Sequence, residues 1–155
     1  MKNLKQLLIL AALTAGLSGC MSSQKATVSP GADLGAIKNY YVVHLPQDGR
    51  KINQLICDDL NVRGYKATTG EAGNAPAGAE ALVTYQDKWV WDMAMYMLQL
   101  DIQFRDPKTD IALASGEAMH TSLVRRSPPE MVKEVLNQIY QKASPPQAAT
   151  PMGDK

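Results

Sequence analysis

The hydrophobic pattern is most regular between residues 81 and 124 of the chain. From Met93 to Arg105, apolar side chains occupy every second position: Ala94, Tyr96, Leu98, Leu100, Ile102 and Phe104. The intervening positions from residue 99 onward are polar, with Gln99, Asp101, Gln103 and Arg105. Because a period of two is typical of a strand with one buried face, we predict a central strand here.

Two further strands are predicted beside it. Asp106-Pro-Lys-Thr-Asp110 predicts a turn, since proline cannot donate to a sheet and aspartate favours turns. Residues 111–124 then predict a returning strand, with a bulge near Ser115-Gly116. Residues 81–91 predict the preceding strand, whose face of Val83, Tyr85, Trp89 and Trp91 is interrupted by Asp87.

The flanking segments predict two helices and two shorter strands. Strands are expected over residues 40–45 and 65–69, with a helix over 51–63 between them and a loop over 70–78. On that helix, Asp59 lies close to the apolar stripe, and we expect an ion pair with Arg63. The alternative is a partly desolvated carboxylate in a pocket. Ser127-Pro-Pro-Glu130 predicts a capping box that opens the last helix.

The resulting order β-α-β-β-β-β-α predicts the fold class. Two amphipathic helices need one shared apolar surface, and a sheet offers one such face. We therefore expect an α+β two-layer sandwich, in which a mostly antiparallel sheet of four to five strands carries both helices on one face.

The first twenty residues have the features of an export signal. Lys2 and Lys5 precede an apolar run over residues 7–17, which is too short to span a bilayer. The run ends in Leu17-Ser-Gly-Cys20, which resembles the lipobox of bacterial lipoproteins. This resemblance implies cleavage before Cys20 and lipidation of its thiol, and two or three acyl chains anchor a domain firmly.

The same reasoning divides the chain into four parts. We predict a lipoprotein signal peptide at 1–19, a flexible tether at 20–33, one α+β domain at 34–142 and a disordered tail at 143–155. Residue 21 is Met and not Asp. By resemblance to enterobacterial sorting rules, this implies a periplasmic domain anchored to the outer membrane.

Two further resemblances concern the mature domain. The element order is similar to that of LptE, a lipoprotein of the lipopolysaccharide-export barrel, at the level of fold. Asp87-Lys-Trp-Val-Trp-Asp92 together with Phe104-Arg-Asp-Pro-Lys-Thr109 resembles a group of small bacterial lipoproteins, a likeness that implies no activity.

The net charge and the reactive residue types of the chain give little indication of an enzymatic activity. Cleavage before Cys20 leaves 14 basic against 15 acidic residues, a net charge of about −1, which offers no basic excess for nucleic acid. Cys57 is the other thiol, and we predict that it is a small, partly buried helix residue; the alternative is that it pairs with another chain. We predict that His44 and His120 are ordinary strand residues. No motif predicts a metal site, a cofactor site or a nucleophile with its base.

Asp101 and Glu117 are candidates for the same side of the sheet, but the spacing does not fix their pairing. We predict that the protein is not an enzyme. Its oligomeric state is not predicted.

One surface is a candidate for binding a partner. Met and Trp are favoured at adaptable interfaces, and the candidate residues are Trp89, Trp91, Met93, Met95, Tyr96 and Met97. Alternation places the three methionines with Gln99 on the solvent side, opposite the helices. The alternative is that the tail, the 70–78 loop or the tether covers this patch.

Two functions follow from these features. The first is a non-enzymatic, lipid-anchored accessory, assembly or structural protein of the cell envelope, which binds an envelope protein through this surface. The second is a carrier of a hydrophobic envelope ligand, with a pocket between the sheet and the helices.

The lipid anchor gives the first testable expectation. Cys20→Ala removes the acylated thiol, so we expect radioactive palmitate to label the wild-type protein and not the variant. Cys57→Ala, which removes the other thiol, is the matched control and should keep the label. Labelling of Cys20→Ala would contradict the lipobox assignment.

Overall fold

The structure is a computed structural model that describes residues 22–144. Its strands are β1 (Ser22–Val28), β2 (Asn39–Val43), β3 (Lys66–Gly70), β4 (Ala81–Asp92), β5 (Ala94–Arg105) and β6 (Ala112–His120), and its helices are α1 (Ile52–Val62) and α2 (Pro128–Ala143). The sheet order is β1-β6-β5-β4-β2-β3. Strand β2 runs parallel to both of its neighbours, and the other pairs are antiparallel. The α+β class is confirmed, with six strands instead of four to five.

The additional strand is β1, which lies where a flexible tether was predicted over residues 20–33. That prediction is wrong for Ser22–Val28, which pair antiparallel with β6 from Ser22↔His120 to Val28↔Ala114. Few of these residues are strong β-formers, so the strand is imposed by the free hydrogen-bonding edge of β6 and not by its own propensity. The predicted signal peptide, Cys20 and residues 145–155 of the predicted tail lie outside the described residues.

Helix α2 packs closely on β6 because the core-facing side chains of that strand are small. Ala114, Gly116 and Ala118 alternate along it and are covered by the apolar stripe of α2. A Cβ atom built on Gly116 would lie 2.9 Å from Val135 Cγ1 and 2.8 Å from Ile139 Cγ1. The bulge predicted at Ser115-Gly116 is wrong, since both residues keep regular pairing. Glycine is required there by the approach of the helix, and the register shifts at Leu113 instead.

Arg63 joins the two helices at one end of the core. Its Nε donates to Asp59, which confirms the expected ion pair, and its Nη2 donates to Asn137 Oδ1 on α2 at 2.8 Å. The guanidinium also lies over the ring of Tyr140, 5.5 Å from its centroid. Both helices therefore lie on the same face of the sheet.

Helix α2 begins with the predicted capping box. The backbone nitrogen of Ser127 donates to Glu130 Oε2 at 2.8 Å. This bond satisfies a backbone donor at the helix start and fixes the point where the chain leaves the 3₁₀ turn at Ser122–Val124. Within residues 22–144, no helix combines the length and hydropathy needed to cross a bilayer.

Gly116 gives the second expectation. Gly116→Ala places a methyl group against Val135 and Ile139, so we expect the free energy of unfolding to fall by about 1–3 kcal/mol through overpacking. Urea denaturation measures the change. Gly78→Ala is the control, because nothing lies within 4 Å of its Cβ position, and it should stay within about 0.5 kcal/mol of the wild type. Equal stability of the two variants would contradict close helix packing.

Candidate functional site

The hairpin formed by β4 and β5 extends beyond the rest of the sheet. Strand β2 pairs with β4 only as far as Val83, and the pairing of β6 with β5 starts at Gln99. The part of the hairpin beyond these pairs therefore has no neighbouring strand on either edge. It closes at Met93, whose φ of 57° is a left-handed conformation that suits a tight reversal.

A β-bulge at Leu98 decides which side chains of this hairpin are buried. Lys88 pairs with Gln99, but the next residue, Trp89, pairs with Met97, so Leu98 is left over. An extra residue reverses the alternation of sides along a strand. Met97 therefore lies on the same side as Leu100 and is only 1% exposed.

The prediction that Met97 faces solvent together with Gln99 is wrong for this reason. Met95 lies on the same side as Met97, which is the side that the helices cover further along the sheet, and not the opposite side as predicted. It is 50% exposed.

Two of the predicted partner-binding aromatics are held by cations of this chain. The ring of Trp89 is half-buried, has the Arg50 guanidinium 4.0 Å from its centroid, and donates its Nε1–H to Asp87. The ring of Tyr96, on the other side of the hairpin, lies 4.5 Å from the Arg125 guanidinium. Such stacking supports the hairpin and leaves these rings less available to a partner.

Three of the other predicted residues, Trp91, Met93 and Met95, are exposed apolar side chains at the end of the hairpin. Trp91 is 73% and Met93 89% exposed. Leu123, which is 80% exposed, belongs to the same end, since Nη2 of nearby Arg125 donates to the Asp92 carbonyl at 2.6 Å. We call Trp91, Met93, Met95 and Leu123 the tip patch.

Sequence reasoning missed Leu123 because it extended the β6 strand to Val124, whereas the strand ends at His120. The described residues include two other exposed large apolar side chains, Val62 and Ile111. Ile111 follows the turn that joins β5 to β6, at the opposite end of the sheet.

The sheet face away from the helices carries a polar groove. Its volume is about 610 Å³, and the side chains that line it come from four strands. One row across the sheet is Lys25–Glu117–Asp101–Gln86, and the next is Thr27–Ser115–Gln103–Thr84. Thr27 and Ser115 hydroxyls are 2.7 Å apart. This face offers hydrogen-bonding groups to a polar ligand.

Asp101 and Glu117 form a carboxyl pair in the middle of this groove, directly opposite each other on β5 and β6. Burial raises the pKa of Asp101; a hydrogen bond from Gln99, 2.9 Å long, lowers it, and the Glu117 carboxyl raises it again, so that the net shift is upward. A like charge on the facing residue disfavours the ionised form of Asp101. The sequence identified Asp101 and Glu117 as candidates for the same side of the sheet. The register between β5 and β6 shows that they face each other.

The histidines lie in separate hydrogen-bonded pairs. His44 Nδ1 is 3.0 Å from Glu71 Oε1, and His120 Nε2 is 2.9 Å from each carboxylate oxygen of Glu134. Among residues 22–144, no group of three or more His, Cys, Asp or Glu side chains is arranged to hold a metal ion. Cys57, predicted to be partly buried, is buried, and its Sγ contacts the Ala67 carbonyl at 3.2 Å. Burial raises the pKa of its thiol.

Known proteins resemble this chain in fold. No family model and no curated protein matches it. Two structures of the PelC dodecamer from Paraburkholderia phytofirmans superpose with TM-scores of 0.58 and 0.56, at 14% and 15% identity. The matches cover 76% and 77% of this chain and 97% and 98% of PelC.

A PDZ domain protein from Parabacteroides distasonis gives a TM-score of 0.50 at 15% identity, over 90% of this chain and 40% of that longer one. At these identities the likeness shows the fold alone. LptE is not one of these structures, so that resemblance stays a prediction.

The carboxyl pair gives the third expectation. An aspartate whose folded pKa lies above its unfolded value makes the folded state lose stability as pH rises between the two values. We therefore expect Asp101→Asn to raise the free energy of unfolding at neutral pH, by at most about 1 kcal/mol because solvent screens this partly exposed group. The gain should vanish at acidic pH, where Asp101 is protonated in both the folded and the unfolded state.

Urea denaturation of Asp101→Asn, Glu117→Gln and the double variant tests this expectation. Either single change removes the repulsion between the two carboxyls, so the gains should be less than additive. Additive gains, or a gain of equal size at acidic and neutral pH, would contradict the pairing.

Proposed function

We propose that this protein is a non-enzymatic, lipid-anchored accessory or structural protein of the cell envelope, with its domain on the periplasmic side of the outer membrane. The lipobox at Leu17–Cys20 supports the anchor, and Met21 supports the outer membrane. In this proposal the domain binds a partner in the envelope through the tip patch.

The observation that carries the proposal is the concentration of exposed apolar side chains on the hairpin end. Three of the six exposed large apolar residues within 22–144 lie on the hairpin end, and a fourth, Leu123, lies on the 3₁₀ turn two residues before Arg125, which contacts that end. Contiguous exposed apolar surface marks interaction sites, whereas scattered single residues do not. Arg125 and the bulge at Leu98 hold the backbone of the hairpin in a defined shape, which reduces the ordering cost of binding.

The carrier alternative has less support. A carrier for a hydrophobic ligand needs an apolar cavity, but the 610 Å³ groove lies on the open polar face. Between the sheet and the helices, Ile102, Phe104, Val135 and their neighbours form one buried cluster.

Photo-crosslinking in living cells tests the binding proposal. A photoreactive residue at Met93 or Met95 reports on the tip patch, and the same residue at exposed Lys133 on α2 is the matched control. We expect one dominant adduct from the two tip positions and none from Lys133, because the exposed apolar side chains of the described residues are concentrated at the tip.

Mass spectrometry identifies the adduct. An adduct of twice the chain mass would indicate self-association, which the dodecameric PelC structures make worth distinguishing from a second protein. Equal and weak reaction at the tip and at Lys133 would contradict the proposal.

A further inference from the structure

The first described residue lies toward the same end of the sheet as the tip patch. Ser22 pairs with His120, the last residue of β6, and β1 then runs away from the hairpin end toward Val28. Met119, one residue earlier on β6, pairs with Gln99 on β5, just short of the bulge. The chain that precedes Ser22 therefore enters the domain from the side on which the hairpin protrudes.

Cys20 is covalently close to this point. Two residues span at most about 7 Å, so the Cα atom of Cys20 lies within that distance of Ser22. From the Ser22–His120 row, which is level with Trp89 on β4, the hairpin continues from Val90 to Met93, four residues or about 13 Å at the rise of a strand.

The twist of the sheet shortens the distance by which the hairpin extends past Ser22 in the direction of β1, but the hairpin still extends further than Cys20 can reach. Neighbouring strands rotate by about 20–25°, so β1 and β5, two steps apart, differ by about 45°. The 13 Å projects to about 9 Å along β1, which still exceeds the reach of Cys20. Because the hairpin end extends further in this direction than Cys20 can, a membrane that holds the acyl chains of Cys20 can also contact the tip patch.

We propose that the tip patch inserts into the phospholipid interface of the leaflet that holds the lipid anchor. This inference rests on the proposed function, because it requires lipidation of Cys20, and it names the partner of the tip as the membrane itself. Trp is favoured at the boundary between headgroups and acyl chains. Met93 supplies a flexible apolar group at the turn of the hairpin, and Leu123 supplies one on the neighbouring 3₁₀ turn.

The charges around the patch agree with a lipid surface. Arg125 is paired with Asp92, so neither enters the interface as an isolated charge. Arg126 is exposed on the segment that carries Leu123, where it can meet lipid phosphate. Contact through both the Cys20 anchor and the tip patch fixes the orientation of the domain on the membrane. The strands are then steeply inclined to the membrane plane, and the polar groove opens to the side.

Tryptophan fluorescence of the lipidated, full-length mature protein in vesicles of phosphatidylethanolamine and phosphatidylglycerol tests whether the tip patch inserts into the membrane. Trp89→Phe leaves Trp91 as the reporter, and Trp91→Phe leaves the half-buried Trp89 as the matched control. We expect lipids brominated in their acyl chains to quench Trp91 several-fold more than Trp89, with a blue-shifted Trp91 emission. Circular dichroism confirms that both variants fold.

A second measurement keeps both tryptophans. A photoreactive residue at Met93, in the same vesicles without any other protein, should form phospholipid adducts, whereas one at Lys133 should not. If Trp91 stays open to aqueous acrylamide and Met93 gives no lipid adduct, while palmitate labels the protein, the inference is overturned and protein docking by the tip remains. If palmitate labelling itself is absent, the anchor and the inference both fail.

Discussion

The close contact between α2 and β6 sets the geometry of the whole domain. Because Gly116 has no side chain, Val135 and Ile139 of α2 approach the strand backbone directly. That contact fixes the helix above β1, β6 and β5, and it brings Glu134 onto His120 at the strand end. The position of α2 in turn determines where the 3₁₀ turn and Leu123 lie.

Sequence patterns predicted the parts of the fold that local chemistry controls. Alternation identified β4, β5 and most of β6, and the Ser127–Glu130 capping box located the start of α2. Strand β1 was missed because its sequence is polar and its pairing partner is about ninety residues away. The glycine in β6 was interpreted as a bulge because nothing local shows that a helix packs on it.

The candidate site was predictable only in part, for the same reason. Composition identified the Trp and Met residues, but a single unpaired residue, Leu98, reverses the sides of Met95 and Met97 relative to Gln99. A bulge depends on the partner strand, so alternation within one strand cannot reveal it. The pairing of Asp101 with Glu117 likewise depends on a register that two distant segments establish together.

The position of β1 has a mechanical consequence for a chain anchored at Cys20. Tension between the membrane and a bound partner would enter the domain at Ser22 and act along the edge strand. A force along an antiparallel strand shears its backbone hydrogen bonds together, whereas a force across the strand opens them one at a time. The seven residue pairs from Ser22↔His120 to Val28↔Ala114 would share that pull, and Gln24, which donates to Glu134 of α2, would pass part of it to the helix. Under the proposed lipid anchor, the segment that the sequence predicted to be a flexible tether would therefore resist separation of the domain from Cys20.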